Sequence, residues 1–284
     1  MNKCIICDDK RFGKIFNDKL LKCKKCSFIT ANMSIDKEIL EKTYTENYFI
    51  GQEYLNYLDE KKSLQLNFKK RLSYIYKKIG KSNISSVIEV GCAYGFFAEE
   101  LKRELSSQLE YYIGFDVVQK AIDYGTNVLK QNLICGEYLN YPLEKRFTDA
   151  FFWDVIEHLK EPHKVIEKIS HELYTGGRIY ITTGDIDSFL SRIQKENWRM
   201  IHPPSHIHYF SKKTINLLLE KNGFKILSIT KPGISRTLKH IYYLQFIKDK
   251  KTSKIKNFIF NNMPNIKLTL NTFDIMLVIA EKKI

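Results

Sequence analysis

The chain of 284 residues has no apolar run approaching the length needed to cross a bilayer, and its amino terminus carries paired cysteines where a signal peptide would carry an apolar stretch. Both absences argue against a membrane-spanning or exported protein and lead to the expectation of a cytoplasmic one. Internal repeats and low-complexity tracts are missing too, which leaves out solenoids and arrays. Acid is in short supply: 32 Asp and Glu stand against 46 Lys and Arg, for a net charge of +14. That excess fits either an anionic partner or a general bias toward Lys, Ile and Asn, so charge alone does not decide for nucleic acid. What the chain does have is ample core material, 44% apolar residues, enough for one large α/β domain and a small appendage.

Of only six cysteines, four fall in two identical pairs, Cys4-x-x-Cys7 and Cys23-x-x-Cys26, separated by a stretch with Gly13 and many lysines. This is the spacing of a four-thiolate zinc ribbon: each pair forms a tight knuckle, and two knuckles close a tetrahedron with no open position for substrate. The expected zinc is therefore structural, with Lys3, Lys22, Lys24 and Lys25 offsetting the thiolate charge. Disulfides are the alternative, but nothing suggests an oxidising compartment. Cys92 and Cys135 have no paired partner and read as ordinary thiols.

The stretch around which the chain is organised is Val87-Ile88-Glu89-Val90-Gly91-Cys92-Ala93-Tyr94-Gly95-Phe96-Phe97. A buried parallel strand leads into a small-residue turn, then into a helix with Phe97, Leu101 and Leu105 on one face. Gly91 and Gly95 let the backbone turn sharply and a ligand approach, although close strand-to-helix packing accounts for such a turn equally well. A second apolar run, Tyr111 to Phe115, then ends in Asp116, an acid where a ribose diol would lie.

Glu89, Gly91, Gly95 and Asp116 together resemble the first two motifs of the class I S-adenosylmethionine (SAM) dependent methyltransferases, with Ala93 where a third glycine is usual. The resemblance implies an α/β, Rossmann-like seven-stranded sheet with helices on both faces, joined here to the small zinc ribbon. The expected division is a ribbon over 1–32, a helical connector or lid over 33–80, and the methyltransferase domain over 81–284 with a helical basic insertion at about 232–268. Cofactor contacts are expected from Glu89, Gly91, Ala93, Gly95, Asp116, Val117 and Asp154. Glu137 and Tyr138, after the short strand Asn132 to Cys135, would lie against the adenine or form a plain turn. In the connector, Leu64, Phe68, Leu72, Ile75 and Ile79 recur at helical spacing. Before them, Tyr44-Thr45-Glu46-Asn47-Tyr48-Phe49 and Gly51 either pack the ribbon on the main domain or place Tyr48 and Phe49 as a lid over the cofactor.

Asp149 to Trp153 reads as the fourth strand, ending in Asp154-Val155-Ile156-Glu157-His158-Leu159 at the working edge of the sheet. This string, Glu161-Pro162, a helix ended by Gly176-Gly177 and the strand Arg178 to Thr183 are similar to the branch acting on small molecules, including quinone and sugar O-methyltransferases. For some members of that branch the resemblance implies a divalent ion on an acid, acid, histidine set, here Asp154, Glu157 and His158; alternatively Glu157 and His158 orient the loop. His206-Ile207-His208-Tyr209-Phe210-Ser211 resembles the same branch. Alternation puts both imidazoles on one side of an extended piece. His206 is the first candidate for the base that takes a hydroxyl proton, His208 the second, and a structural role for both stays open. A zinc site on this pair is not expected, since two further ligands are not apparent.

Phe224 to Ile229 and Phe273 to Ala280 read as an antiparallel edge pair. Between them Arg236, Lys239, Lys248, Lys250, Lys251, Lys254 and Lys256 stand against Asp249, interleaved with Tyr242, Tyr243, Leu244 and Phe246. This is a cap on the acceptor site, a membrane-surface helix, a nucleic-acid patch or a solvated insertion. The expected reaction is SAM-dependent O-methylation of a small molecule, a sugar or nucleotide-sugar or glycan intermediate. The carboxyl-terminal domain of some zinc-bearing sugar C-methyltransferases has no counterpart here, which favours oxygen over carbon. An rRNA or tRNA methyltransferase is the first alternative, lowered by the lack of Asn-Pro-Pro-Tyr after the fourth strand; a non-catalytic SAM- and zinc-binding module is the second.

Overall fold

In the computed structural model the described residues are 3–45, 48–49, 56–80, 84–247, 253–264 and 266–283. Glu46, Asn47 and Gly51 of the aromatic segment, and Lys248, Asp249, Lys250 and Lys251 of the basic stretch, lie outside them.

The amino-terminal unit is built from β1 (Phe12–Ile15), β2 (Leu20–Cys23) and β3 (Ile29–Ala31), paired antiparallel in that order. Then come the helices α1 (Lys37–Thr43) and α2 (Lys61–Ile79). Asp36 caps α1 by accepting from the Ile39 amide, and α2 buries Phe68, Leu72 and Ile75, as its apolar spacing requires. The main domain follows as β4 (Ser86–Val90), α3 (Phe96–Leu105), β5 (Tyr111–Asp116), α4 (Gln119–Asn127), β6 (Leu133–Cys135), β7 (Phe147–Trp153), α5 (Pro162–Glu172) and β8 (Leu173–Gly184). After these lie α6 (Phe189–Gln194), β9 (His208–Tyr209), α7 (Lys212–Lys221), β10 (Phe224–Thr230), β11 (Ile234–Thr237), α8 (Leu238–Tyr242), α9 (Lys254–Asn262), β12 (Lys267–Leu270) and β13 (Ile275–Lys282).

Seven strands form one sheet in the order β10-β13-β8-β7-β4-β5-β6. β4 is parallel to both β5 and β7, and β13 runs antiparallel between β8 and β10. The chain proceeds outward from β4 to β6 and returns on the other side of β4 with β7, which makes the carboxyl ends of β4, β5 and β7 a switch point where ligands bind. Side chains alternate between two buried faces. Ile88, Val90, Ala150, Phe152, Ile179 and Ile181 meet α5 and α7, while Val87, Phe151, Trp153 and Tyr180 meet the α2 and α3 side. Truncating a fully buried ring such as Phe151 to Ala would cost about 3 to 5 kcal/mol.

Two features differ from the sequence expectation and a third adds to it. The α5 helix ends at Glu172, and Gly176 and Gly177 lie inside β8 instead of stopping the helix. The insertion is not purely helical: β11 and β12 pair antiparallel as its base, and Asn67 of α2 grips that base by exchanging both side-chain amide groups with the Ser235 backbone, at 3.0 and 2.6 Å. The ribbon, finally, is not a separate bead. Its sheet takes β9 as a fourth strand, and Phe28 packs 5.5 Å from Phe210 in the core of the main domain. Among the described residues no helix is long and apolar enough to cross a membrane.

Candidate functional site

Beyond β4 the backbone takes positive φ at Gly91 (+77°), Ala93 (+47°) and Gly95 (+75°) before entering α3. A Cβ on Gly91 would stand 2.2 Å from Val155 Cγ2, so the loops after β4 and β7 touch at the one position without a side chain. Ala93 accepts the left-handed strain that a third glycine would avoid. The loop is tied down by β5: the Gly91 and Cys92 amides both donate to the Phe115 carbonyl, at 2.7 and 3.0 Å. Asp116 is the fastener, accepting from the Ala93 amide at 2.8 Å on one carboxylate oxygen and from the Val118 amide at 3.0 Å on the other. Each oxygen keeps a further lone pair for a ligand hydroxyl. Burial raises the Asp116 pKa, tempered by these amides. Glu89, buried beneath the loop and bonded by the Tyr112 hydroxyl, is pushed up to about 8, chiefly by burial.

Of the further residues expected at the cofactor, Val117 is exposed and Glu137 is at the surface. Tyr138 is not beside them at the mouth. Its ring is buried, its hydroxyl donates to Glu172 and Lys168 Nζ lies 3.8 Å over its face. In the aromatic segment, Tyr48 is buried and meets Phe49 edge-on at 5.1 Å. Phe49 in turn meets Tyr94 of the glycine loop at 5.4 Å, so the cluster adjoins the loop.

A small cleft of about 70 Å³ runs from this loop to the insertion. Glu89, Gly91, Trp153 and Asp154 line it at one end and Ser235, Arg236 and His240 at the other, with Glu60, Asn67 and Arg71 along its α2 wall. Arg71, Glu60, Asn67 and His240 were not among the residues expected from sequence. The signal for Arg71 was available: a cation set within the apolar stripe of Phe68, Leu72 and Ile75 has to serve something. It is buried, donates to Asp154 at 3.2 Å, stacks over Trp153 at 5.2 Å, and its Nε has no partner among the described residues. At the far end the Thr237 hydroxyl donates to Glu60 at 2.6 Å, and His240 lies 2.6 Å from Arg236 and 3.8 Å from Glu60.

After β7, Asp154 has φ +57°, its amide bonded to the Thr182 hydroxyl at 2.9 Å. That turn sends its carboxylate to Arg71, away from Glu157 and His158. The expected set of Asp154, Glu157 and His158 is therefore corrected: ligand atoms of Glu157, His158 and His206 lie within 4.8 Å of one another, and Asp154 is not among them. The chemistry of this trio fits a divalent ion. Neither Glu157 oxygen has a hydrogen-bond partner among the described residues, and burial, then the Asp154 charge, pushes its pKa up to about 8. His158 Nδ1 is 2.9 Å from the Ser205 carbonyl and 3.1 Å from the Tyr44 hydroxyl; His206 Nδ1 is 2.8 Å from the Met200 carbonyl. Donation of both Nδ1 protons to carbonyls leaves each Nε2 as the ligating or proton-accepting atom. Burial, with His158 and His202 nearby, holds the His206 pKa well below its ordinary value.

His206 and His208 do not share one environment, contrary to the alternation argument. The Glu157 carbonyl accepts from both the Ile207 and His208 amides, and only at His208 does β9 begin. His208 then enters the seam with the ribbon, 5.4 Å from Phe28 and with Nδ1 3.1 Å from the Thr30 hydroxyl, and burial lowers its pKa to about 4. Two further donors, Glu157 and His158, do reach His206, which sequence spacing did not reveal.

The Sγ atoms of Cys4, Cys7, Cys23 and Cys26 lie within 4.8 Å of one another, with Cys4 to Cys26 and Cys7 to Cys23 both at 3.5 Å. Tetrahedral zinc at about 2.3 Å from each sulfur spaces them by about 3.8 Å, so the cluster fits the ion. Burial, opposed in part by the Cys7 and Ile6 amides, pushes the Cys4 thiol up to about 11, a cost that a bound dication would reverse.

A family model described as a methyltransferase domain matches residues 53–229, more than half of the chain. Among curated proteins, the ubiquinone biosynthesis O-methyltransferase of Coxiella burnetii is 24% identical over 212 residues, 70% of this chain and 87% of that protein. Among solved structures, a SAM-dependent methyltransferase from Archaeoglobus fulgidus superposes with a TM-score of 0.51 at 21% identity, covering 80% of this chain and 99% of the other. One from Clostridium acetobutylicum gives 0.51 at 12% identity, covering 79% and 96%.

Proposed function

Because the chain belongs to the methyltransferase domain family and is a SAM-dependent methyltransferase, we propose that it methylates a hydroxyl oxygen of a small polar acceptor, a sugar or nucleotide-linked sugar. The observation that carries this reading is the lining of the cleft. Glu60, Asn67, Arg71, Asp154, Ser235, Arg236 and His240 offer donors and acceptors in several directions, which suits a polyhydroxylated or anionic molecule better than a flat apolar one.

Bound SAM supplies a methyl group on a sulfonium, transferred in line to the attacking oxygen. The protein's part is to hold both reactants and keep water out. Asp116 would accept the ribose hydroxyls on the lone pairs its amides leave free, Val117 would pack on the adenine and Glu137 would accept from its amine. Glu89, Gly91, Ala93 and Gly95 would shape the amino-acid end, with Arg71 balancing its carboxylate and Tyr48 covering the loop. Glu157, His158 and His206 would hold a divalent ion, which would supply Lewis-acid polarisation to an oxygen bound beside it. With His206 so placed, the proton of the acceptor falls to groups in the cleft itself, Asp154 beside Arg71 or His240 beside Glu60. The four ribbon cysteines would hold structural zinc.

The test is SAM-dependent release of S-adenosylhomocysteine with a panel of nucleotide sugars. Turnover of at least one, lost in Asp154→Asn or His240→Gln, is expected. A phenolic, quinone-type acceptor is the second reading, favoured by what the curated relatives are named for. Turnover of catechols with none of any sugar would replace the first reading by the second.

A further inference from the structure

We propose that the outer face of the insertion is a docking surface for an anionic lipid bilayer. In α9 the residues Ile255, Phe258 and Ile259 recur at helical spacing, with Ile255 72% and Phe258 69% exposed, and no residue of this helix is buried. The opposite side of the helix leans on the protein through Phe260, 6.2 Å from Tyr243. In β12 the Thr269 hydroxyl faces inward, bonded to Lys70 at 2.7 Å and Ser235 at 2.8 Å, so alternation turns Leu268 and Leu270 outward. Among the described residues, eight of the fifteen exposed large apolar side chains fall between Phe246 and Phe273. Single exposed apolar residues need no explanation; a concentration of them in one excursion does.

The charge of the same segment selects the occupant. Between 232 and 268 the described residues include Arg236, Lys239, Lys254, Lys256 and Lys267 and no acid. Cations interspersed with outward Phe, Ile and Leu match anionic headgroups over acyl chains, where Lys stems lie along the apolar layer and ammonium groups reach phosphate. A nucleic-acid backbone would leave the Ile255 and Phe258 stripe without an apolar partner. A second copy meeting this face symmetrically would set the same cations against each other. Ile234, Ser235, Arg236 and His240 of the insertion line the cleft, so the docking face and the cleft wall belong to the same excursion of the chain. The surface does not depend on which acceptor is methylated.

The experiment is cosedimentation of the full chain with vesicles of neutral phosphatidylcholine and of phosphatidylcholine mixed with phosphatidylglycerol. The expected result is binding to the anionic vesicles that weakens in high salt. Lys254→Ala should lower the partition about fivefold, from about 1 kcal/mol per basic residue near the surface. Phe258→Asp combined with Ile259→Asp should lower it by about tenfold or more. Both positions are exposed, and unchanged affinity for S-adenosylhomocysteine shows that the variants are folded. Absence of binding to anionic vesicles, binding unaffected by the double variant, or a dimer in sedimentation velocity that the double variant dissociates would each overturn the proposal.

Discussion

Gly91→Ala probes the contact between the two loops proposed to hold the cofactor. An alanine at φ +77° costs about 1 kcal/mol in backbone strain, and the lower entropy of the unfolded alanine chain returns about 0.4 to 1 kcal/mol of it. The net effect therefore lies mostly in the new Cβ, which would meet Val155 Cγ2 at 2.2 Å and Cγ1 at 2.9 Å. Relieving such overlap in a packed site costs about 1 to 3 kcal/mol, and since Val155 follows Asp154, the displacement reaches the turn that carries Asp154, Glu157 and His158. Removing both Val155 methyl groups relieves most of the overlap, leaving the built Cβ at a tight 3.1 Å from the Val155 Cβ. Urea unfolding of wild type, G91A, V155A and the double variant should show a coupling of about 1 to 3 kcal/mol, with G91A costing less than about 1 kcal/mol in the V155A background. Affinity for S-adenosylhomocysteine should fall in G91A and partly return in the double variant. Equal cost of G91A in both backgrounds would refute the contact as the reason for glycine at this position.

Further outcomes follow from the same geometry. Asp116→Asn replaces one carboxylate oxygen by an amide nitrogen and leaves one of the two backbone donors unmatched, so affinity for S-adenosylhomocysteine in calorimetry should fall about tenfold or more. Glu89 has a folded pKa of about 8, above the ordinary 4.5, so the folded state binds the extra proton. Its contribution is fully present below about pH 4.5 and is lost as pH rises toward 8, and E89Q should flatten the fall of urea stability across that window. Cys26→Ser should abolish stoichiometric zinc by elemental analysis. Because the ribbon sheet also holds β9, it should weaken turnover even though none of the four ribbon cysteines lines the cleft.

The parallel strands, the glycine loop with Asp116, the cysteine knuckles and the antiparallel partner strands near the carboxyl end were legible because each rests on a local rule: apolar runs, short spacings, an acid at a strand end. What was not legible depends on contacts between distant segments. His206 and His208 are two residues apart, yet one joins Glu157 and His158 while the other seals the ribbon seam, a division set by where β9 begins. Asp154 left the expected ion-binding set because its left-handed backbone turns it to Arg71 on another element. Tyr138 has the composition of an adenine contact, but Glu172 and Lys168 of α5 hold its ring in the core. The β11 and β12 base of the insertion was hidden by the basic residues around it.

In the proposed complex an adenosyl group lies across the carboxyl ends of β4 and β5, its sugar on Asp116 and its amino-acid end at the Gly91 turn. Calorimetric titration of the zinc-loaded, folded chain with S-adenosylhomocysteine measures this directly. A single saturable site per chain is expected, and no heat of association at any concentration reached would contradict it.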